Sequence, residues 1–289
     1  MSHLLAVGLG FSAKAVASRL KPQGWQVTGT ARGEAGRAAI VAEGYAAALF
    51  SGEEPSTTLI AALGGTTHLL LSAPPGADGD PLLVHHRADL VAAPHLRWIG
   101  YLSTIGVYGD HDGAWVDEST PPKPVSPRSR WRLDAERAWA AFADARTLPL
   151  GVFRLAGIYG PGRNALKRLE AGVERRIDKP GQVFNRIHVE DIAAAVDAAI
   201  ARNTAGTFNV TDDEPAPPQD VIGFAAELLG VAPPPLVAWR EAELSPMARS
   251  FYAESKRVRN ARMKDVLGLT LRYPTYREGL RALIQARPA

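Results

Sequence analysis

The chain has 289 residues, of which 46% are hydrophobic and 22% are charged, as expected for a globular protein with one large domain and a smaller lobe. Its formal net charge is only +3, and no polybasic run indicates nucleic acid as a partner. The absence of cysteine excludes disulfides, thiolate metal ligands and a cysteine nucleophile, and it fits a cytoplasmic protein. No apolar run approaches the roughly 18 residues of a membrane span, so no membrane partner is expected.

Short apolar runs alternate with segments of helical spacing up to about residue 160. In chain order, strands are predicted in HLLAVGLG, WQVTGTAR, YAAALF, THLLLSAPPG, LRWIGYLST and LPLGVFRLAGIYG. The helices predicted between them are FSAKAVASRL, GRAAIVAEG, STTLIAALGG, PLLVHHRADLVAA and RWRLDAERAWAAFADA. Because the strands are continuously apolar, we expect a parallel sheet buried on both faces. This is the α/β, doubly wound (Rossmann) fold class.

After Gly160 the alternation loosens. Helices are predicted in NALKRLEAGV, EDIAAAVDAAIA and PQDVIGFAAELLG, and strands in RIHV and TFNVTD. From about Val231 the chain has the character of a smaller lobe with its own helices. We therefore expect one domain over residues 1–160, followed by a segment, residues 161–289, that returns to the sheet and forms a smaller α/β lobe.

A glycine-rich turn follows the first predicted strand. The stretch VGLGFSA places Gly8, Gly10 and Ala13 in a G-x-G-x-x-A spacing that opens a helix. The first glycine allows a tight turn, the second lets the backbone approach a pyrophosphate, and the small third residue permits close packing. The N–H groups of this turn, including those of Phe11 and Ser12, would face the phosphates. Residues 1–160 are therefore predicted to bind a dinucleotide.

The end of the second predicted strand bears on the choice between NADP and NAD. An NAD site usually carries an acidic residue about 20 residues beyond the glycines, whereas this chain has Thr30 and Arg32. A guanidinium binds a 2′-phosphate well, which favours NADP. Glu34 remains the alternative acid, so NAD stays open, and Arg32 can also be an ordinary solvated arginine.

Several further segments carry a resemblance to a known superfamily. YLSTIGVYGD, FRLAGIYGPGR, NRIHVEDIAAAV and GTFNVTDDEP resemble, in order and spacing, motifs of the extended short-chain dehydrogenases/reductases. The chain is most similar to an atypical, epimerase/dehydratase-like branch with SAPP after the fourth strand. The resemblance implies further cofactor contacts, which are Ser72, Ala73, Pro74, Ser103, Arg132, Leu155, Ala156, Gly157 and Ile158.

The resemblance also shows what this chain lacks. Typical members use a tyrosine as the proton donor and a lysine four residues later, and here Arg128 and Arg132 stand at those positions. Arginine is effectively always protonated, so Arg128 cannot exchange a proton. Thr104 matches the hydroxyl that orients the substrate carbonyl. Tyr108 is the candidate replacement acid, with a packed, hydrogen-bonded tyrosine as the alternative.

Two departures from the superfamily pattern narrow the substrate. Dehydratase members carry an acidic pair where this chain has Ile105 and Gly106, which argues against that chemistry. Sugar-nucleotide members often carry an arginine four residues before the motif histidine, where this chain has Phe184. Four polar residues fall near the mouth where the superfamily binds substrate, namely Arg163, Asn164, Asn185 and Arg186. Each could contact a carboxylate or phosphate, or could equally be a surface or interface residue.

Other titratable residues are interpreted as structural. His188 is expected to be a structural histidine beside a helix start, with Glu190 and Asp191 as caps. Tyr252–Lys256 fits Y-x-x-x-K but lies too late in the chain to act as the usual pair. His85 and His86 lie within a predicted helix and form no recognisable metal-binding motif, so no metal site is expected.

Two functions remain open from the sequence. One is an NADP-dependent oxidoreductase that acts on a small carbonyl or hydroxyl substrate through an unusual active site. The other is a non-catalytic NADP(H)-binding sensor or scaffold, favoured by the loss of both residues of the tyrosine–lysine pair. The resemblance also implies a homodimer through the helices PLLVHHRADLVAA and RWRLDAERAWAAF.

Overall fold

The structure is a computed structural model that describes residues 2–172 and 175–287, with the backbone alone for residues 246–248. The strands are β1 (His3–Val7), β2 (Gln26–Ala31), β3 (Ala46–Leu49), β4 (His68–Leu71), β5 (Trp98–Thr104), β6 (Trp115–Val116), β7 (Leu150–Leu155), β8 (Gly157–Tyr159), β9 (Arg176–Asp178), β10 (Arg186–His188), β11 (Gly206–Val210), β12 (Leu236–Ala238) and β13 (Arg257–Val258). The helices are α1 (Phe11–Leu20), α2 (Glu34–Ala42), α3 (Thr57–Leu63), α4 (Pro81–Ala92), α5 (Pro127–Ala145), α6 (Ala165–Glu170), α7 (Val189–Ala201), α8 (Pro218–Leu229), α9 (Pro246–Phe251), α10 (Ala261–Leu267) and α11 (Tyr276–Gln285).

Seven strands form one parallel sheet in the order β11–β7–β5–β4–β1–β2–β3. The central strands are almost entirely buried, because helices cover both faces of the sheet. The predicted doubly wound α/β fold is therefore confirmed, and each strand and helix named from the sequence is present.

Two hydrophobic cores lie on the two faces of the sheet. The first contains residues of α1, α7 and α10, including Val16, Ile192 and Met263. The second contains residues of α3, α4 and α5, including Leu59 and Trp139. The segment after residue 160 therefore contributes α7, α10 and β11 to the main sheet layer.

A third core builds the smaller lobe from α6, α8 and α11, with Leu166, Phe224 and Leu280 at its centre. Three parallel pairs of short strands accompany it: β8 with β10, β9 with β12, and β6 with β13. All six strands have only two or three residues, and four of them, β6, β9, β12 and β13, were not predicted from the sequence. The domain boundary at residue 160 stays a prediction, as does the homodimer through α4 and α5.

The parallel register brings the carboxyl ends of neighbouring strands to one edge of the sheet. Val7 at the end of β1 is paired with Leu71 at the end of β4. Thr104 at the end of β5 is paired with Leu155 at the end of β7. Loops that follow these strands therefore lie side by side, which is where open α/β sheets bind ligands.

A buried ion pair joins α5 to β7 beneath this edge. The Glu136 carboxylate accepts hydrogen bonds from Arg154 Nε at 3.2 Å and Nη2 at 2.8 Å, and a third from the Ser103 hydroxyl. Both charged side chains are only 8% exposed. Arg154 also lies over the Tyr108 ring, 4.9 Å from its centroid. The pair thus fixes the helix, two strands and Tyr108 relative to one another.

Replacing Glu136 with alanine should lower the free energy of unfolding by about 3–5 kcal/mol, because Arg154 would remain buried without a counter-charge. The matched control is Asp134→Ala on the same helix, which removes an exposed pair with Arg137 and should cost less than about 1 kcal/mol. Urea unfolding monitored by circular dichroism measures both. Equal losses for the two variants would show that the buried pair does not stabilise the fold.

Candidate functional site

The glycine turn after β1 is tightly held. Gly8 has φ +86°, a left-handed conformation that favours glycine, and a Cβ there would lie 3.0 Å from the backbone nitrogen of Ala73. The N–H of Gly8 donates to Thr30 Oγ1 at 2.8 Å. The first glycine therefore allows β1 and the loop after β4 to approach each other closely.

The N-terminus of α1 has the properties of an anion-binding site. Gly10 is its N-cap, no side chain caps it, and no acidic residue lies in its first turn. The backbone N–H groups of Phe11, Ser12 and Ala13 donate to no described residue. A Cβ at Gly10 would meet no atom within 4 Å, so the space beside it is open. These donors and this space fit a pyrophosphate.

The loop after β4 and the segment after β7 adjoin the glycine turn through the sheet. The N–H groups of Ser72 and Ala73 donate to the carbonyl of Val7 at 3.0 and 2.8 Å, and Pro74 follows at the surface. Beyond Leu155 and Ala156, both buried, Gly157 is exposed and Ile158 is half-buried. The structure thus brings these predicted cofactor segments to the same edge, and their contacts with a cofactor stay a prediction.

The two residues predicted to contact the ribose of the cofactor, at its 2′-hydroxyl or 2′-phosphate, lie in different surroundings. Thr30 is buried, and its hydroxyl already accepts from Gly8, so it supports the turn. Arg32 is exposed directly after β2 and makes no hydrogen bond or ion pair with any described residue. The alternative acid Glu34 binds Arg37 Nε at 2.7 Å. Of these three side chains, Arg32 is the one free to meet a ligand.

Thr104 lies half-buried at the end of β5. Its Oγ1 accepts from the N–H of Gly106 at 3.1 Å, which leaves the hydroxyl hydrogen without a described partner. A Cβ at Gly106 would lie 2.8 Å from Ser129 Oγ in the first turn of α5. The absence of a side chain at Gly106 therefore lets α5 begin directly against the Thr104 turn.

Arg132 and Arg128 occupy successive turns of α5. Arg132 Nη1 donates to the Leu102 carbonyl at 3.0 Å and to the Tyr101 hydroxyl at 3.3 Å. Arg128 is exposed and makes no hydrogen bond or ion pair with a described residue. The arginine at the lysine position is therefore tied to β5, whereas the arginine at the tyrosine position is unengaged.

Tyr108 is fully buried, and its hydroxyl donates to Asn209 Oδ1 at 2.8 Å. Burial raises the pKa of Tyr108 above its ordinary value, while Arg154 acts in the opposite direction. This geometry favours the packed, hydrogen-bonded tyrosine over a replacement acid, and the catalytic assignment of Tyr108 stays a prediction.

His188 is buried, its ring centroid lies 4.0 Å from that of Tyr273, and burial lowers its pKa to about 4. These properties agree with a structural histidine. The expected caps are wrong, however, because His188 itself caps α7 by accepting from the Glu190 N–H at 3.3 Å. Asp191 instead accepts from the backbone N–H groups of Arg272 and Tyr273, which fixes the segment before α11.

The four polar residues at the substrate mouth divide into two pairs. Asn164 caps α6, and Asn185 binds the backbone at Lys256 and Val258, so both are structurally engaged. The Arg163 guanidinium lies 5.9 Å from the Phe11 ring centroid at the start of α1. Arg186, on β10, is half-buried. The two arginines are therefore the members of this set with donors left for a ligand.

The roles of three residues near the site were not predicted from the sequence, namely those of Glu136, Arg154 and Asn209. A charge inside the apolar run GVFRLAG requires a buried partner, and this was the available signal. The late Tyr252–Lys256 stretch packs beside the same region, because the buried Lys256 Nζ donates to the Gly109 carbonyl and binds Glu254.

Residues 2–172 and 175–287 contain no group of three or more histidine, cysteine or acidic residues suited to a metal ion. His86 accepts from the Ser56 N–H at 3.0 Å through Nε2 and contacts Asp89 through Nδ1, so it joins α4 to the loop before α3. Over the same residues, no helix is long and apolar enough to cross a membrane.

A doubly wound parallel sheet, with a glycine-rich loop after its first strand and a smaller helical lobe, is the architecture of the extended short-chain dehydrogenases/reductases. Within that class, the chain belongs to the NAD dependent epimerase/dehydratase family, whose model matches residues 7–211. It represents an atypical branch, because Arg128 and Arg132 replace the tyrosine–lysine pair.

Three proteins illustrate the relationship. The chain is 30% identical over 249 residues to Protein YeeZ of Escherichia coli strain K12, covering 81% of this chain and 86% of YeeZ. A solved structure of a conserved protein of unknown function from Silicibacter pomeroyi DSS is 53% identical, with a TM-score of 0.91 and 99% of both chains covered. A 3-diazoavenalumate denitrifying reductase of Streptomyces is 29% identical over 140 residues, which is 45% of each chain.

Replacing Gly10 with alanine should weaken NADP(H) binding at least about tenfold, because the methyl group would enter the space that fits the pyrophosphate. The same variant should keep nearly the wild-type melting temperature, since the free protein has room for the methyl group. Gly8→Ala is the contrasting variant, because strain at φ +86° should lower the melting temperature. Calorimetric titration and thermal unfolding separate the two effects, and unchanged affinity in Gly10→Ala would contradict the cradle.

Proposed function

We propose that the protein is an NADP-dependent oxidoreductase that reduces a small carbonyl substrate or oxidises the corresponding alcohol. The observation that carries this proposal is that the uncapped α1 N-terminus and the half-buried Thr104 hydroxyl both lie at the carboxyl edge of the sheet, after β1 and at the end of β5. The similarity to a reductase over 45% of the chain supports the same direction.

The chain's own residues divide the work as follows. The N-terminus of α1 would hold the pyrophosphate of a nicotinamide nucleotide, which would supply or accept the hydride. The Thr104 hydroxyl donates a hydrogen bond to the substrate carbonyl oxygen, since its hydrogen has no described partner while its oxygen accepts from Gly106. Arg128 stabilises the negative charge that develops on this oxygen but keeps its own protons. Water then supplies the proton that completes the alcohol.

The choice of NADP rests on Arg32. Its guanidinium is exposed at the end of β2 without a described partner, whereas Glu34 is paired with Arg37. A free guanidinium forms charged hydrogen bonds with a 2′-phosphate, and an acid in its place would repel that group. The family name refers to NAD. The preference of this chain for NADP is therefore our own proposal, and it rests on Arg32.

A non-catalytic NADP(H) sensor is the second candidate. It is favoured by the burial of Tyr108, whose hydroxyl is engaged by Asn209, and by the arginines at both positions of the usual pair. In that case the protein would bind the nucleotide with the same cradle and transmit occupancy to a partner.

The reductase is tested by following NADPH oxidation against a panel of aldehydes, ketones and quinones. With an accepted substrate, Thr104→Val should lower kcat/KM by about 10²–10³, because a hydrogen bond to the reacting oxygen is lost. The matched control is Thr207→Val. Thr207 lies near the amino end of β11, at the edge of the sheet opposite to Thr104, so this variant should keep wild-type activity. Tight NADPH binding without turnover across the panel would reject the reductase and leave the sensor.

Replacing Arg32 with glutamate should weaken NADPH binding by about 1.5–3 kcal/mol and leave NADH binding nearly unchanged, because only NADPH carries the 2′-phosphate. Arg97→Glu makes the same charge change at an exposed site before β5, at the opposite edge of the sheet, and should affect neither nucleotide. Calorimetry with both nucleotides measures the difference. Equal losses for NADPH and NADH in Arg32→Glu would show that Arg32 does not read the phosphate.

A further inference from the structure

A tight turn between β8 and α6 packs against the start of α1. A Cβ at Gly160, the first residue of this turn, would lie 3.3 Å from Phe11 Cζ and 2.7 Å from Val189 Cγ1. Phe11 is the first residue of α1, and Val189 is the first residue of α7. Because Gly160 has no side chain, the turn lies directly against the end of α1 that follows the glycine-rich loop.

Hydrogen bonds and backbone conformation fix this turn. The N–H of Gly160 donates to the carbonyl of Arg163 at 2.9 Å, and the N–H of Arg163 donates to the carbonyl of Gly160 at 3.1 Å. Pro161 restricts its own φ, and Gly162 has φ +74°, which is the combination that a type II turn favours. Asn164 Nδ2 also donates to the Gly160 carbonyl at 2.8 Å. The backbone of Arg163 is therefore held firmly beside α1.

The side chain of Arg163 lies over the first residue of α1. Its Cζ is 5.9 Å from the centroid of the Phe11 ring, which is within the range of a cation–π contact. The side chain is exposed and makes no hydrogen bond or ion pair with any described residue. An aromatic ring and not a carboxylate thus positions this guanidinium, and its N–H donors remain available for a ligand.

An anion at the start of α1 carries more charge than the helix alone offsets. The N-terminus of a helix acts as only about half a positive charge. The first turn of α1 has no acidic residue that would compete for a cation. Lys14, the first basic residue of the helix, is already paired with Glu43. The Arg163 guanidinium, beside the same helix end, is therefore suited to supply the remaining positive charge.

We propose that Arg163 binds the pyrophosphate of the nicotinamide nucleotide together with the backbone N–H groups at the start of α1. A guanidinium forms paired, charged hydrogen bonds with phosphate oxygens. Because NADP and NAD share the pyrophosphate, Arg163 contributes to the binding of both, whereas Arg32 acts on the 2′-phosphate alone. The assignment rests on the nucleotide binding of the proposed function, but it does not depend on hydride transfer.

Calorimetric titration of the full chain with NADP⁺, NAD⁺ and ADP-ribose tests the assignment without requiring turnover. ADP-ribose carries the pyrophosphate but neither the 2′-phosphate nor the nicotinamide. Arg163→Gln should weaken the binding of all three at least about tenfold, because charged hydrogen bonds to the phosphates are lost. Arg163→Lys keeps the charge but not the planar arrangement of donors, so it should give a smaller loss.

The control variants separate this contact from general effects. Arg163→Gln should keep the wild-type melting temperature, because the side chain is exposed and has no described partner. Arg97→Gln removes the same charge from an exposed site at the opposite edge of the sheet and should bind all three nucleotides normally. Phe11→Leu removes the ring beneath the guanidinium and should give a smaller loss than Arg163→Gln.

Four results would overturn the assignment. They are unchanged affinities in Arg163→Gln, a loss confined to NADP⁺, an equal loss in Arg97→Gln, and a wild-type protein that binds none of the three nucleotides. A loss confined to NADP⁺ would mean that Arg163 contacts the 2′-phosphate instead of the pyrophosphate.

Turnover distinguishes this contact from the proposed function. With an accepted carbonyl substrate, Arg163→Gln should raise KM for NADPH at least about tenfold and leave kcat nearly unchanged, because the pyrophosphate does not react. If Arg163→Gln weakens nucleotide binding but the wild type reduces no compound of the panel, the oxidoreductase fails and the contact stands. If the wild type reduces a carbonyl compound and Arg163→Gln keeps wild-type affinity and KM for NADPH, the contact fails and the oxidoreductase stands.

Discussion

The pairing of the Glu136 carboxylate with the Arg154 guanidinium is the interaction on which the arrangement of the candidate site depends. Neither charge can be left alone inside the protein without a large desolvation cost. Because the carboxylate also binds Ser103, and the guanidinium lies over Tyr108, one pair fixes α5 against β5 and β7. The helix that carries Arg128 and Arg132 is therefore held firmly in place although the usual reactive side chains on it have changed.

The main sheet was predictable because its strands are continuous apolar runs separated by segments of helical spacing. The glycine turn was equally clear, since its spacing and its place between a strand and a helix have one physical reading. The small strands of the lobe were not predictable, because two or three residues such as Trp115–Val116 carry no periodicity. Their pairing depends on contacts between distant parts of the chain.

The site was only partly predictable for a similar reason. Sequence position indicated that Thr104 and Arg132 lie at the sheet edge, but not that Arg132 binds the Leu102 carbonyl. The role of His188 as the cap of α7 also depends on geometry that spacing does not reveal, because Glu190 and Asp191 were the more usual capping residues.

The first hydrophobic core is completed by elements from very different parts of the chain. Helix α1 packs against α7, and Arg19 on α1 binds Asp197 on α7, while residues of α10 such as Met263 enter the same core. During synthesis, the apolar side of the first helix therefore stays uncovered until most of the polypeptide has left the ribosome. Contacts between such distant parts of the chain raise the contact order of the fold, and high contact order slows folding.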